Sequence, residues 1–280
     1  MTYHADFSKA LTALTKHMQN DSVIVKPTKW QSIDVSQRPE AEMREMIHIE
    51  FQTYMPTVDL DYYRSAIAPN LPWADHHFIQ ERISGQPINP GWTWKTWPWG
   101  HSADKFRREG EQFSHSYAER YWPKYAGLLN ADGEQFGADG QPPDTAPHYG
   151  VRYKYGDLDD VVDLLVREPD TRQAYLPIWF PEDTGVVHGE RVPCTLGYHF
   201  MRRGNGIHIY YPIRSCDFYR HLRDDLYLTV RLLLWVLGRC QELNPTDWSK
   251  VKPGLFSFWA GSLHMFVGEY RKLYGTANQS

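Results

Sequence analysis

Residues 194–217 read CTLGYHFMRRGNGIHIYYPIRSCD and contain the clearest strand pattern in the chain. Cys194 to Arg202 and Gly206 to Ile213 are rich in aromatic and β-branched side chains, which pack well on a pleated surface. The Asn205-Gly206 step between them is typical of a tight hairpin turn. The stretch therefore predicts two neighbouring strands joined by a hairpin.

Helical and strand patterns surround this hairpin. Apolar residues at helical spacing predict helices over Phe7 to Met18, Glu40 to Phe51, Asp75 to Arg82, Asp157 to Arg167, Leu226 to Cys240 and Val267 to Leu273. Two further strand candidates are Ala174 to Phe180 and Leu255 to Trp259. This mixture predicts an α+β fold in which a mixed β-sheet is flanked by helices.

The chain is predicted to form a single domain over residues 1–280. Residues 1–70 are expected to be an N-terminal helical region. Residues 130–147 are rich in Gly, Asp and Pro, a composition that favours a loop or insertion within the domain.

Composition excludes several classes of function. Of the 280 residues, 41% are hydrophobic and 23% charged, as in ordinary globular proteins, and the net charge of −4 offers no basic footprint for nucleic acid. Three cysteines without CxxC spacing argue against a disulfide framework and against a metal cluster. Without a signal-peptide pattern or a membrane-length apolar run, we expect a cytoplasmic protein with no membrane partner.

A cysteine and an arginine-serine pair supply the elements of covalent chemistry on a nucleotide. A lone strand cysteine such as Cys194 is more often a small core residue than a nucleophile. Arg214-Ser215 shifts that balance, because a guanidinium fork beside a hydroxyl suits phosphate oxygens. A thiolate that adds to C6 of a pyrimidine makes C5 a carbon nucleophile, and nearby positive charge promotes the thiolate. Cys194 is therefore the candidate nucleophile.

Ordered motifs in the C-terminal half resemble the thymidylate synthase superfamily. They are Tyr149-Gly150, PDTRQA at 169–174, Pro193-Cys194, RSCD at 214–217 and GSLHMF at 261–266. The resemblance implies a thymidylate synthase-like fold whose sheet packs at a homodimer interface. It also implies a pyrimidine nucleoside monophosphate as substrate, 5,10-methylenetetrahydrofolate as co-substrate, and no metal.

The same resemblance implies roles for individual residues. The catalytic residues would be Cys194, Glu81 and Asp225, with Glu81 ordering a water molecule. The nucleotide would be held by Arg214, Ser215, His264, Tyr149 and Asp225, and by Arg172 reaching into the phosphate site of the partner subunit. Folate would contact Trp97 by stacking and Asp217 by hydrogen bonding to the pterin.

Asp225 narrows the resemblance to the dCMP and CMP 5-hydroxymethylases. Thymidylate synthases have an asparagine at the matching position, which reads uracil. A carboxylate would set its lone pairs against uracil O4, whereas it accepts a hydrogen bond from the cytosine N4 amino group and pairs with N3 as that atom takes a proton. The combined prediction is folate-dependent hydroxymethylation at C5 of dCMP or CMP, through a Cys194 adduct at C6 and addition of water.

Two alternatives stay open from the sequence. The first is a thymidylate synthase specific for dUMP, or a deoxyuridylate hydroxymethylase. The second is a non-catalytic homologue that only binds a nucleotide. Phe266 also stands where the family has a tyrosine that contacts the sugar, so the sequence leaves ribose and deoxyribose undecided.

Overall fold

The computed structural model describes residues 2–30, 33–100, 112–123, 156–186 and 191–275. In these ranges the chain forms a seven-stranded sheet flanked by helices and a separate two-stranded sheet. The strands are β1 (Thr2–His4), β2 (Val23–Val25), β3 (Lys29–Trp30), β4 (Ile33–Asp34), β5 (Met43–Tyr54), β6 (Tyr175–Pro177), β7 (Gly197–Arg203), β8 (Gly206–Asp217) and β9 (Lys252–Phe266). The helices are α1 (Phe7–Asn20), α2 (Leu60–Ile67), α3 (Trp73–His77), α4 (Tyr117–Tyr121), α5 (Leu158–Arg167), α6 (Leu222–Leu243), α7 (Pro245–Trp248) and α8 (Val267–Tyr274).

The large sheet is mixed. Its strands lie in the order β1-β5-β9-β8-β7-β6, with β2 also paired to β5. β9 is antiparallel to β5 and parallel to β8. Parallel neighbours need a long crossover connection, and α6 with α7 provides it between β8 and β9. The predicted α+β class with a mixed sheet and flanking helices is confirmed.

β7 and β8 form the predicted hairpin. Arg203 pairs with Gly206, so the turn consists of Gly204 and Asn205. Gly204 has a φ of +56°, a conformation that is inexpensive for a residue without a Cβ atom. A two-residue turn that starts with glycine matches the twist of antiparallel strands, and it fixes the register of both strands.

The core lies between one face of the sheet and helices α1, α2, α5 and α6. Phe256 and Phe258 of β9 point into it and are at most 1% exposed. Phe7 of α1 packs edge-on against Phe256, with ring centroids 5.0 Å apart. Burial of each such ring contributes roughly 1.5–3 kcal/mol, so these contacts fix the helices against the central strand.

The alternation of buried side chains shifts at one row of residues in three neighbouring strands, and this shift is called the bend below. The row consists of His48 of β5, Gly261 of β9 and Arg214 of β8, which are not paired themselves and fall between residues that are paired on either side. On β9 the buried positions change from Phe258 and Ala260 before this row to Leu263 and Met265 after it. His48 has a φ of +52°, and a Cβ atom on Gly261 would lie 2.8 Å from the carbonyl oxygen of Arg214. The close approach at Gly261 therefore accompanies a change in which side chains face the core.

The predicted helix from Glu40 to Phe51 is wrong, because this segment is the long strand β5. Its composition includes good helix formers, but Ile47, Ile49 and Phe51 alternate with polar residues at the period of a strand. Pairing with β9 along eleven residue pairs stabilises the strand and overrides the local helical preference. Residues 1–70 accordingly contain five strands besides α1 and α2 and are not a helical region.

Several other predicted elements are present in longer form. The helix predicted at Leu226 to Cys240 is α6, and the strand predicted at Leu255 to Trp259 is β9. The predicted loop at 130–147 lies outside the described residues. No helix in the described part of the chain combines the length and apolar character needed to cross a membrane.

Replacing Gly261 with alanine should destabilise the fold. The new methyl group would meet the Arg214 carbonyl, which is backbone and cannot move alone, so we expect a loss of about 1–3 kcal/mol in the free energy of unfolding. Gly238→Ala is the matched control, because a Cβ atom there meets nothing within 4 Å inside α6 and should stabilise the helix by roughly 1 kcal/mol. Urea denaturation measures both changes, and equal effects of the two substitutions would contradict the proposed bend constraint.

Candidate active site

A cavity of about 650 Å³ opens where the ends of β8 and β9 meet the start of α6. Its walls also include the segment around Trp73 and Trp97, and Tyr117 of α4. A cavity of this size accommodates ligands of the size of a nucleotide or a drug molecule. Side chains from distant parts of the sequence therefore line one cavity.

Cys194 lies on this cavity, held against the edge of β8. Its carbonyl oxygen accepts a hydrogen bond from the backbone N–H of Arg214 at 2.8 Å. The Arg214 side chain also binds the segment before Cys194. It donates a hydrogen bond from Nε to the Pro193 carbonyl at 2.9 Å and another from Nη2 to the Val192 carbonyl at 3.1 Å. Nη2 of Arg214 also lies 3.9 Å from the Cys194 sulfur. The thiol and the guanidinium are thus fixed next to each other.

The charge environment of Cys194 combines two opposing effects. Burial raises the pKa of the thiol, while the guanidiniums of Arg214 and Arg191 lower it, and burial is the larger effect. The thiol is therefore protonated at neutral pH. Once the proton leaves, the two cations stabilise the thiolate that results.

Several cations line the cavity, and two of them, Arg214 and Arg191, act on the thiol. Arg191, Lys29 and Arg220 line the cavity wall together with Arg214. Burial lowers the pKa of Arg191, which the negative charge of an anionic ligand would counteract. Ser215 lines the same region and contributes a hydroxyl. This arrangement can hold a phosphate group.

Asp225 occupies the first turn of α6 on the cavity wall. One of its oxygens lies 3.7 Å from the sulfur of Cys216. Burial raises the pKa of Asp225 to about 7, with a further increase from Asp224 and a partial decrease from Arg82. Asp224 is engaged elsewhere, since it accepts from the backbone and side-chain nitrogens of Asn70 at 2.7 and 2.8 Å. Of the two acids, Asp225 is the one available to a ligand.

Arg82 and Tyr117 are functional candidates that the sequence analysis missed. Arg82 lines the cavity although it is only 4% exposed, and its guanidinium lies 4.4 Å above the Tyr117 ring. The Tyr117 hydroxyl lies 3.3 Å from Oγ1 of Thr195, the residue after the candidate nucleophile. Neither residue belongs to a recognisable motif, so only the tertiary structure brings them to Cys194 and Asp225.

Arg191 and Lys29 were also missed. Arg191 stands three residues before Cys194, and a cation so close to a candidate thiol is a signal that the sequence does offer. Lys29 comes from the N-terminal part of the chain, where no motif marks it. The tertiary structure brings both of them to the cavity wall.

Glu81 lies one layer behind the cavity wall. Among the described residues, His77 and Arg82 line the cavity, and Glu81 does not. Its carboxylate accepts from the backbone N–H of Thr93 at 2.7 Å and from Nδ1 of His77 at 2.9 Å. Burial acts to raise the pKa of Glu81, but these hydrogen bonds outweigh it and the net pKa is lowered. Glu81 is therefore ionised and reaches the cavity through His77.

The two predicted folate contacts both lie on the cavity. The Trp97 ring packs against His221, with centroids 4.7 Å apart, and its Nε1 lies 3.4 Å from Asp224. Asp217 uses Oδ1 to accept from the backbone N–H groups of Tyr219 and Arg220, both at 2.9 Å. Its Oδ2 lies 3.8 Å from Nε of Arg220 and is within reach of a ligand. Aromatic walls, an acceptor and nearby cations suit a flat heterocycle that carries carboxylates.

His264 lies on the cavity wall at the end of β9. Its Nδ1 is 3.3 Å from the hydroxyl of Ser262. Burial lowers the pKa of His264, so its ring is neutral at pH 7 and can both donate and accept a hydrogen bond. This is the chemistry expected of a group that contacts a sugar hydroxyl.

Arg172, another predicted site residue, does not line this cavity. Arg172 is exposed, and its carbonyl oxygen lies 2.9 Å from Nε2 of His199 on β7. Tyr149 lies outside the described residues. Within the described ranges, no group of three or more His, Cys, Asp and Glu side chains is arranged to hold a metal ion.

Comparison with solved structures identifies the fold. The chain is similar to thermostable thymidylate synthase A from Bacillus subtilis, with a TM-score of 0.61 and 13% sequence identity over 96% of this chain and 83% of that chain. No protein-family model matches the chain, and no curated protein does. The protein therefore has a thymidylate synthase-like fold, and the fold implied by the sequence motifs is confirmed.

Cys194 should be the cysteine that iodoacetamide alkylates first, because Cys216 and Cys240 are buried. Arg214→Gln should slow this alkylation at pH 8 roughly three- to tenfold more than Arg214→Lys, since lysine keeps the positive charge that stabilises the thiolate. Mass spectrometry of digested protein measures the rates. Both variants lose the guanidinium fork, so equal rates in the two would show that charge is not the cause.

Asp225→Asn should stabilise the protein at pH 8. Because the folded-state pKa of Asp225 is about 7 and lies above its ordinary value of 3.8, stability falls as pH rises between these values. Asparagine removes that cost, and we expect a gain of about 1–3 kcal/mol at pH 8 that shrinks at pH 4. Thermal unfolding at both pH values measures it, with the exposed Asp163→Asn as control. A gain that does not change with pH would contradict this account.

Proposed function

We propose that this protein transfers a hydroxymethyl group to C5 of a cytidine nucleotide, CMP or dCMP, with methylenetetrahydrofolate as one-carbon donor. The observation that carries the proposal is the shared cavity of the Cys194 thiol and the Asp225 carboxyl group, with the Arg214 guanidinium beside the sulfur. Activation of a pyrimidine nucleotide requires three groups: a nucleophile, an acid whose pKa lies near neutral pH, and a cation that binds the phosphate.

In the first step the Cys194 thiol loses its proton to water in the cavity, and the resulting thiolate forms a bond to C6 of the base. The C5–C6 π electrons move toward C5 and the ring, and N3 accepts the proton that Asp225 donates. A carboxyl group with a pKa of about 7 is well suited to this transfer, because a large fraction of it is protonated at neutral pH and can release the proton as negative charge develops on N3. C5 is then a carbon nucleophile.

The chemistry of Asp225 favours cytosine. In its protonated form it donates to N3 and accepts from the N4 amino group, so both oxygens are used. Cytosine pairs with Asp225 both before and after the proton moves to N3. Uracil presents an N–H donor at N3 and a carbonyl acceptor at O4, so it pairs only with the protonated form and is repelled by the carboxylate. Arg82, buried beside this group, moderates the charge of Asp225 and serves as a positioning residue.

The cavity residues fit the proposed folate. When bound, this co-substrate supplies a one-carbon unit at the oxidation level of formaldehyde. Asp217 Oδ2 would accept hydrogen bonds from the pterin, Trp97 would pack against it, and Arg220 or Lys29 would face its carboxylates. These assignments rest on the free oxygen of Asp217 and on the cations at the cavity wall.

Glu81 is proposed to act on water through its neighbours. Its carboxylate fixes the His77 ring by accepting from Nδ1, and the other ring nitrogen, Nε2, accepts from Nε of Arg82 at 3.0 Å. This series of hydrogen-bonded side chains ends at the cavity and can orient a water molecule there. The Tyr117 hydroxyl, close to Cys194, is placed to relay the proton that C5 loses.

We also propose that the protein is a homodimer that packs through the open face of the sheet. Tyr175, His199, Tyr210, Ser257 and Gln52 form a row of register partners across five strands. Tyr175 on the edge strand β6 and Tyr210 on β8 are 40% and 38% exposed, which is high for large aromatic side chains on a sheet face. Arg172 lies at the edge of this face and would enter the phosphate site of the partner subunit. Tyr149 remains a proposed nucleotide contact.

The decisive experiment follows tritium released from C5-labelled CMP or dCMP in the presence of methylenetetrahydrofolate. Cys194→Ala should abolish release, by at least about a thousandfold, because the adduct at C6 cannot form. Asp225→Asn should lower kcat/KM for cytidylate by roughly 10- to 100-fold and raise it for dUMP. Product mass spectrometry identifies the added group.

The outcomes separate the alternatives. Turnover of dUMP by the wild type, with dihydrofolate formed, would identify a thymidylate synthase. Hydroxymethylated dUMP would identify a deoxyuridylate hydroxymethylase. Nucleotide binding without any tritium release would support a non-catalytic protein, as would release that Cys194→Ala leaves intact.

A further inference from the structure

Three polar side chains form a connected cluster on the cavity wall next to the proposed phosphate site. Glu45 of β5 and His264 of β9 are register partners, and Ser262 lies two residues before His264. The Ser262 hydroxyl donates a hydrogen bond to Oε1 of Glu45 and lies 3.3 Å from Nδ1 of His264. All three residues line the cavity.

The cluster carries an excess of hydrogen-bond acceptors. The His264 ring is neutral at pH 7, so the Glu45 carboxylate has no cation in this cluster. Within the described residues, Oε2 of Glu45 has no donor at hydrogen-bond distance. A half-buried carboxylate with a spare oxygen is costly unless hydroxyl or N–H donors reach it.

The register of the sheet places this cluster beside the proposed phosphate site. Ser215 of β8 pairs with Ser262, and Asp217 pairs with His264. Neighbouring strands lie about 4.8 Å apart, so a phosphate at Arg214 and Ser215 would have its sugar next to Ser262. Asp225 and Arg82, which lie where the pyrimidine base is proposed to bind, come from α6 and from the turn after α3.

We propose that Glu45, with Ser262 and His264, binds the 2′- and 3′-hydroxyl groups of a ribose and makes CMP the substrate in preference to dCMP. This inference rests on the proposed function. A carboxylate with two oxygens can accept from both hydroxyls of a vicinal diol, with His264 as a further partner for the 3′-hydroxyl. A 2′-deoxy sugar offers one donor fewer and leaves an oxygen of the half-buried Glu45 carboxylate without that donor, which corresponds to roughly 10- to 100-fold weaker binding.

The test is calorimetric titration of the full-length protein with CMP, dCMP and 3′-deoxy-CMP. The wild type should bind CMP roughly 10- to 100-fold more tightly than dCMP. Glu45→Gln should weaken CMP binding and reduce this ratio to near one, because the amide replaces an acceptor oxygen with a donor. Glu42→Gln is the matched control, since Glu42 pairs with Lys26 at 3.2 Å and does not line the cavity among the described residues.

Each outcome has one meaning. Equal wild-type affinity for CMP and dCMP would overturn the inference while the proposed function stands. Binding of neither nucleotide would overturn the proposed function itself. A ratio that survives in Glu45→Gln would show that other residues read the sugar. If circular dichroism shows that Glu45→Gln is unfolded, Ser262→Ala takes its place, because loss of this hydroxyl should also lower the ratio.

Discussion

A bend shared by three neighbouring strands is the constraint on which the cavity depends. At the row formed by His48, Gly261 and Arg214, backbones approach so closely that a Cβ atom on Gly261 would meet the Arg214 carbonyl. Before this row the strands alternate in the ordinary way and build the core. Beyond it, Ser215 and Ser262 turn toward the cavity. The same strands therefore provide both the stability of the domain and the floor of the site.

Arg214 links this bend to the candidate nucleophile. Its backbone belongs to the bent row, and its side chain holds the segment before Cys194 by two carbonyl hydrogen bonds. A charged donor makes such bonds shorter and stronger than neutral groups do. Burial raises the pKa values of Cys194 and Asp225, and guanidinium groups oppose it. The site thus holds two acidic groups with raised pKa values beside cations that would stabilise their ionised forms.

Local patterns predicted much of the fold, and failed where pairing across the sheet decided the outcome. The β7–β8 hairpin and the buried helix α6 are encoded by turn residues and apolar spacing within a few residues. β5 was mistaken for a helix because its helix-forming residues gave a local signal, whereas its partner β9 lies some 200 residues away in the sequence. Single-sequence patterns carry no information about such a distant partner.

The sequence by itself determined the residue types and order from which Cys194, Arg214 and Asp225 could be recognised as one set. Only the tertiary structure decided that Arg82, Tyr117 and the Glu45 cluster join them and that Glu81 lies behind His77. The reason is physical: a motif is a property of neighbours along the chain, while burial, hydrogen bonding and electrostatic shifts depend on distances in space. Those distances are set by the packing of the whole sheet and its helices.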